Sequence, residues 1–302
     1  MKLLLYPVTI LLLLASCRKE QVLLSSNELA REDSLALHVA IMPVMDCLPI
    51  YYAERMGLFE AEGVSVQIGE YLSQMDCDTA LQNGRMEIAY TDIPRTLQMK
   101  KSTHIVTALE GKMSLVTART KRIRNLKHLN ERMVALDRLS QADYWSDQVM
   151  LQAGLDQSAI YRPQFNDIRL RTSMLTEQLV DAALLPEPYV TQAALRGNRS
   201  IFMTPDSAPQ LACLATLQAT WADTLRHTQI EHFIAAYDKA VKEMNGEKRN
   251  DDTLRSILKK QYALSSEVCD SLRLPHFRKA HQPRSKDTDI AAHWLKGRKN
   301  IK

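Results

Sequence analysis

Five short loops of this 302-residue chain carry carboxylates, and each leads into a segment patterned as a helix. Asp46 lies in residues 43–49, Asp76 in 71–78, Asp92 in 91–94, Asp143 in 139–145 and Glu187 in the turn 186–189. Carboxylates gathered at short range repel an anion and attract amino groups. The same loops hold the hydroxyls of Ser73 and Ser140, and Arg171 is a candidate cation, which are the groups an oxyanion would need. Tyr71 and Trp145 add planar faces for stacking. Each side chain also has a plainer use. Asp and Ser at a helix start accept hydrogen bonds from first-turn N–H groups, and large aromatics fill cores. The chemistry on offer is recognition by charge, hydrogen bonding and stacking, and its sign is left open.

Bond-making chemistry has less support. The chain has no Gly-x-Ser-x-Gly nucleophile turn, no Gly-rich phosphate loop and no His-Glu-x-x-His helix. Its eight histidines are scattered. Cys47, Cys77, Cys213 and Cys269 are isolated, without a Cys-x-x-Cys pair, so neither a metal site nor another cofactor is expected. The four thiols allow three complete pairings, and the sequence does not choose among these and free thiols. The net charge of +4 is spread along the chain, apart from a locally basic tail over residues 278–302. A nucleic-acid binder would concentrate its charge in a stripe with aromatics between. The tail reads instead as a solvated surface helix and extension.

The elements that must position these loops alternate. Strands are expected over 35–42, 64–68, 86–90, 104–109, 115–118, 134–136 and 181–185. Helices are expected over 48–56, where Pro49 fits the first turn and Gly57 stops it, and over 76–83, with Asp76 or Asp78 as cap and Gly84 at the end. Asp92 and Pro94 mark a further start, and Ser140 with Asp143 opens a helix that runs to Gly154. From Thr224 onward the pattern is mainly helical, over 227–244, 251–262, 266–272 and 287–295. Strands alternating with helices predict an α/β fold with largely parallel sheets. The alternation restarts near residue 120, which predicts two such units.

The N-terminus has its own logic. Lys2 precedes an apolar run from Leu3 to Leu14, and Leu14-Ala15-Ser16-Cys17 follows. This is the layout of a secretory signal, too short for a permanent span, and its ending resembles a bacterial lipobox. Residues 1–16 are then a signal peptide, Cys17 the lipidated residue, and the polar stretch 17–34 a tether. No later segment offers eighteen consecutive apolar residues. The expected location is the bacterial cell envelope, periplasm-facing or extracellular, anchored to the membrane through Cys17.

Several segments together resemble one family. Leu48-Pro49-Ile50-Tyr51-Tyr52-Ala53 with Gly57-Leu58-Phe59 and Glu62-Gly63-Val64 is similar to the opening of substrate-binding proteins of the nitrate, sulfonate, taurine and thiamine-precursor group. Asn83-Gly84-Arg85-Met86-Glu87-Ile88-Ala89 resembles its next element. Asp181-Ala182-Ala183 with Pro186-Glu187-Pro188-Tyr189, and the late segment 233–240, resemble its later ones.

The resemblance implies a type II periplasmic binding protein: two α/β lobes joined by two crossing hinge strands and closing on a small molecule. It puts lobe one at 35–118 and 214–302, lobe two at 119–213, and the crossings near 116–119 and 213–218. Carried over by position, the ligand residues are Asp46, Cys47, Tyr71, Ser73, Gln74, Asp92, Ser140, Tyr144, Trp145 and Glu187. In this fold the loops of Cys47 and Cys77 are neighbours, which makes a disulfide at the cleft rim one open pairing. The implied partners are a small solute and an ABC permease with its ATPase, with the receptor acting as a monomer and not as an enzyme. Carboxylates with aromatics suit an aminopyrimidine better than a sulfonate. Two other readings share the clamshell: an enzyme of pyrimidine or menaquinone biosynthesis type, and a ligand sensor without transport.

Overall fold

The computed structural model describes residues 35–247 and 249–299. The signal peptide, the lipidated Cys17 and the tether lie outside the described residues. The body begins with β1 (Leu37–Ile41), β2 (Val66–Glu70), β3 (Ile88–Asp92) and β4 (Thr103–Ala108). It continues with β5 (Ser114–Thr117), β6 (Arg132–Ala135), β7 (Ile160–Tyr161), β8 (Ala182–Leu185) and β9 (Arg199–Met203), and returns in β10 (Ala212–Leu217). These strands form two five-stranded sheets, in the orders β2-β1-β3-β10-β4 and β7-β6-β8-β5-β9. Within each, three strands pair in parallel, and one strand, β10 or β5, runs antiparallel to both its neighbours. The inner strands β3, β5, β8 and β10 are buried at every position, as sheets covered on both faces require.

This topology moves the lobe boundaries. The sequence reading ends the first lobe at residue 118 and places a crossing at 116–119. Leu115 and Val116 instead pair with β8 on one side and β9 on the other, inside the second sheet. Cys213 pairs with β3 and β4 in the first sheet, rather than opening a crossing. The chain changes sheets at 109–113 and 204–211. A strand buried on both faces and bonded on both edges cannot serve as a linker, whereas Gly111, at φ +60°, turns where a side chain would clash. A Cβ on Gly111 would lie 2.5 Å from Gln141 Oε1 and 2.9 Å from Ala212 Cβ.

Helix starts follow local chemistry. The expected helix 76–83 begins earlier, as Gln74–Gln82, because Ser73 caps it and accepts from Asp76 N–H. Asp78 turns inward, accepting from Thr91 Oγ1 at 2.6 Å and pairing with Arg95. Asp92 and Ser140 cap as expected: Asp92 Oδ1 accepts from Arg95 N at 2.9 Å, and Ser140 Oγ from Ala142 N at 3.0 Å. The helix Gln141–Ala153 ends on Gly154 in the left-handed conformation.

The C-terminal helices pack on both halves. Phe233 of the helix Thr224–Met244 stacks on Phe59 with centroids 5.2 Å apart. The basic tail is not the solvated extension read from its composition. In its helix Ser285–Lys299, Asp287 and Ala291 are fully buried, and Trp294 Nε1 donates to Asp147 Oδ2 at 2.7 Å. Arg298 Nη2 reaches Asp143 Oδ1 at 2.9 Å and Asp147 Oδ1 at 2.7 Å. Asp143 and Asp147 sit one turn apart in a buried patch, and Arg162 joins them. The tail's charge answers that acidic pair. Among the described residues Cys47, Cys77, Cys213 and Cys269 are free thiols, and no helix is long and apolar enough to cross a membrane.

Candidate ligand cleft

The two sheets face each other across a cleft closed by direct hydrogen bonds. Met45 N donates to Glu187 O at 3.1 Å and Ile168 N to Leu72 O at 2.8 Å. Gln98 Nε2 donates to Leu139 O at 3.1 Å. Gln141 N donates to Asp92 Oδ2 at 2.9 Å, so a carboxylate of one half caps a helix of the other. Between these contacts lies a narrow recess of about 30 Å³, lined by Asp46, Gln74, Tyr90, Asp137, Gln141 and Arg171 among others. A wider chamber of about 340 Å³ shares Asp46, Lys112 and Pro186 with it and extends to Glu187, Arg273 and His276.

Asp46 stands at the junction. Of residues 39–53 it is the one not fully buried, and its carboxylate accepts from Gly111 N at 3.2 Å. Burial pushes its pKa up to about 7 against that N–H, and the neighbouring Glu110 charge adds to the rise. Asp92 is fully buried, and burial likewise pushes it up to about 7, opposed mainly by Arg95 and by the Gln141 N–H. Gln74 Nε2 makes no hydrogen bond of normal geometry, although it lies close enough to Asp92 to favour that carboxyl's charge. Gln141 Oε1 is buried without a partner among the described residues. Arg171 is 3% exposed and already engaged, with Nη2 on Asp137 Oδ1 at 2.8 Å, Nε on Phe165 O and Nη1 on Leu184 O.

The other residues carried over by position serve elsewhere. Glu187 lines the chamber, but its carboxylate accepts from Thr191 N and Oγ1, both at 3.0 Å, and burial raises its pKa. Ser140 Oγ donates to Asp137 O and holds the loop beneath the recess. Ser73 caps its helix, and its backbone bridges Asp167 across the cleft. Cys47 lines neither space: its thiol is 0% exposed in the first core, and burial pushes its pKa up. The Tyr71 ring lies over Gly69 beside Met86. Tyr144 and Trp145 pack edge to face, Tyr144 also against Trp294 and Trp145 against Phe202. Both are buried by these ring contacts. Gln141, Asp137 and Gly111 were missed. Gln141 follows the Ser140 cap directly, and that adjacency is the signal that could have found it.

A pH dependence follows. Both carboxyls sit near 7 in the closed form and return toward 3.8 once hydrated, so between those values the closed, folded form binds more protons. Stability and closure therefore rise as pH falls from 7.5 to 5.5. Asp78, Asp147 and Glu187 are shifted in the same direction by burial. The expected gain is about 2 kcal/mol for each of the two carboxyls, on the order of 10 °C in the thermal midpoint for the pair. Asp92→Asn should flatten the slope, and a midpoint that falls over this range would contradict the assignment.

The architecture is that of a type II periplasmic binding protein. A family model described as NMT1/THI5 like matches residues 45–248, and the chain belongs to that family. The alkanesulfonate-binding protein SsuA from Xanthomonas axonopodis pv. citri, bound to MOPS, superposes with a TM-score of 0.74 at 14% identity, over 88% of this chain and 93% of that one. The periplasmic aliphatic sulphonate binding protein SsuA from Escherichia coli gives 0.69 at 17% identity, over 88% and 94%. The periplasmic nitrate-binding protein NrtA from Synechocystis PCC 6803 gives 0.70 at 10% identity, over 83% and 74%. No curated protein matches the sequence.

Proposed function

We propose that the protein is the extracytoplasmic solute-binding component of an ABC importer. It captures a small solute between its halves, delivers it to a permease, and is held at the membrane by a lipid on Cys17. The similar folds of sulfonate- and nitrate-binding proteins support the receptor reading. It binds as a monomer and catalyses nothing.

One observation carries the ligand preference. The recess lines up the Gln74 amide, which leans on Asp92, and an acceptor without a partner among the described residues (Gln141 Oε1) with the Asp46 carboxylate, while its guanidinium, Arg171, is already neutralised by Asp137. Lys112, at the recess edge, pairs with Asp206 at 2.9 Å. Within the recess an oxyanion would meet carboxylates and, among the described lining residues, no free cation, whereas an amino-bearing ring would find acceptors; the chamber's Arg273 lies outside the recess lining. The favoured solute is a small amino heterocycle of the aminopyrimidine class. A thermal-shift panel of aminopyrimidines, taurine, alkanesulfonates and nitrate tests this. Stabilisation by aminopyrimidines is expected, and a response confined to the sulfonates or nitrate would reject the preference.

A further inference from the structure

A second cavity, of about 300 Å³, shares no lining residue with the cleft. Its walls are the helix Ile168–Thr176, the helix Tyr189–Leu195 with the Arg196 that follows it, and the turn at Tyr262 and Ala263. Two arginines, Arg169 and Arg196, line it against one carboxylate, Glu177. The Arg196 guanidinium has no ion pair or hydrogen bond among the described residues, and Arg169 makes a long bond, 3.4 Å, to the Gln261 carbonyl and lies against the Tyr189 hydroxyl. The third feature is Tyr189. Its side chain is buried to 2% exposure, and among the described residues its hydroxyl makes no hydrogen bond of normal geometry, although Arg169 lies close enough to act on its oxygen. Arg169 can only donate, so the hydroxyl's proton is left without an acceptor among the described residues; that calls for an explanation, and a bound anion is one.

The opposite wall is fixed. Tyr262 Oη donates to Val44 O at 2.8 Å, and its ring packs edge-on against Tyr51 at 5.4 Å. Ala263 holds the turn at φ +54°. The arginines belong to helices that follow strands of the second sheet, while Tyr262 is anchored in the core of the first.

We propose that this cavity is a binding site for a small oxyanion of the phosphate or phosphate-monoester class, held by Arg169 and Arg196 with Tyr189 Oη as a third donor. Guanidinium forks match tetrahedral oxyanions, and a phenol buried beside two of them donates to an anion rather than accepts. Burial raises the Tyr189 pKa to about 12 while Arg169 opposes the rise, so the hydroxyl keeps its proton at neutral pH. Glu177 is exposed at the rim, where solvent screens its repulsion. A bound anion would touch both halves and favour the closed arrangement.

The test is a titration of the full chain with inorganic phosphate at low ionic strength, followed by 31P NMR and calorimetry. Saturable binding is expected, weakened at least tenfold by the double substitution Arg169→Gln with Arg196→Gln. Both side chains are exposed, so that variant keeps the fold. Tyr189→Phe should weaken binding severalfold without lowering the thermal midpoint. Non-saturable binding, an affinity unchanged in the double variant, or binding lost in Asp46→Asn, which would place the anion in the cleft, each overturns the proposal.

Discussion

Replacing Asp147 with alanine is expected to lower the thermal midpoint by on the order of 10 °C. Asp147 is 1% exposed and accepts from Arg162 Nη2 at 2.8 Å, Trp294 Nε1 at 2.7 Å and Arg298 Nη2 at 2.7 Å. Losing it strands two nearly buried guanidiniums and an indole N–H around Asp143, which already accepts from Leu139 N at 2.9 Å. Breaking a buried charged network by removing one partner costs about 3–5 kcal/mol, and each kcal/mol moves the midpoint of a domain this size by roughly 2–4 °C. The same substitution at Asp270, which pairs with Arg255 on the exposed surface, should leave the midpoint within about 2 °C. Equal effects at the two sites would show that the tail helix is not pinned by this network.

The second large effect is on binding. Asp46→Ala should raise the dissociation constant for the amino-bearing solute about 10- to 100-fold, the range for losing a charged hydrogen bond. The fold should hold or gain slightly, because burial disfavours the charged Asp46 carboxylate at neutral pH. A structural residue behaves the other way, losing stability and binding together. Isothermal titration beside thermal unfolding separates the two outcomes, and unchanged affinity would remove Asp46 from the site.

Much of the frame was legible in the sequence because it rests on short-range rules. Asp92 and Ser140 announce helices by side-chain capping, Gly154 ends one through its left-handed conformation, and apolar strand-length runs mark β1, β3 and β8. What was not legible depends on long-range pairing. Nothing local to Leu115 and Val116 says that they join the second sheet, and the edge strand β9 is half exposed and lacks a clean alternation. The tail looked solvated because it is rich in lysine and arginine together, and the facing Asp143 and Asp147 give Arg298 its buried place. Loop position picked out Asp46 and Gln74, which line the recess, but it could not tell side chains aimed inward from Cys47, Tyr71 and Trp145, whose direction is set by the core each one packs against.

Small-angle X-ray scattering of the purified protein, with and without the solute that stabilises it, reads the clamshell itself. If two halves swing about 109–113 and 204–211, the radius of gyration falls on ligand addition, and the fall is lost in Asp46→Ala at the same ligand concentration. An identical scattering curve with and without a demonstrably bound solute would mean a rigid body, and the receptor mechanism would fail.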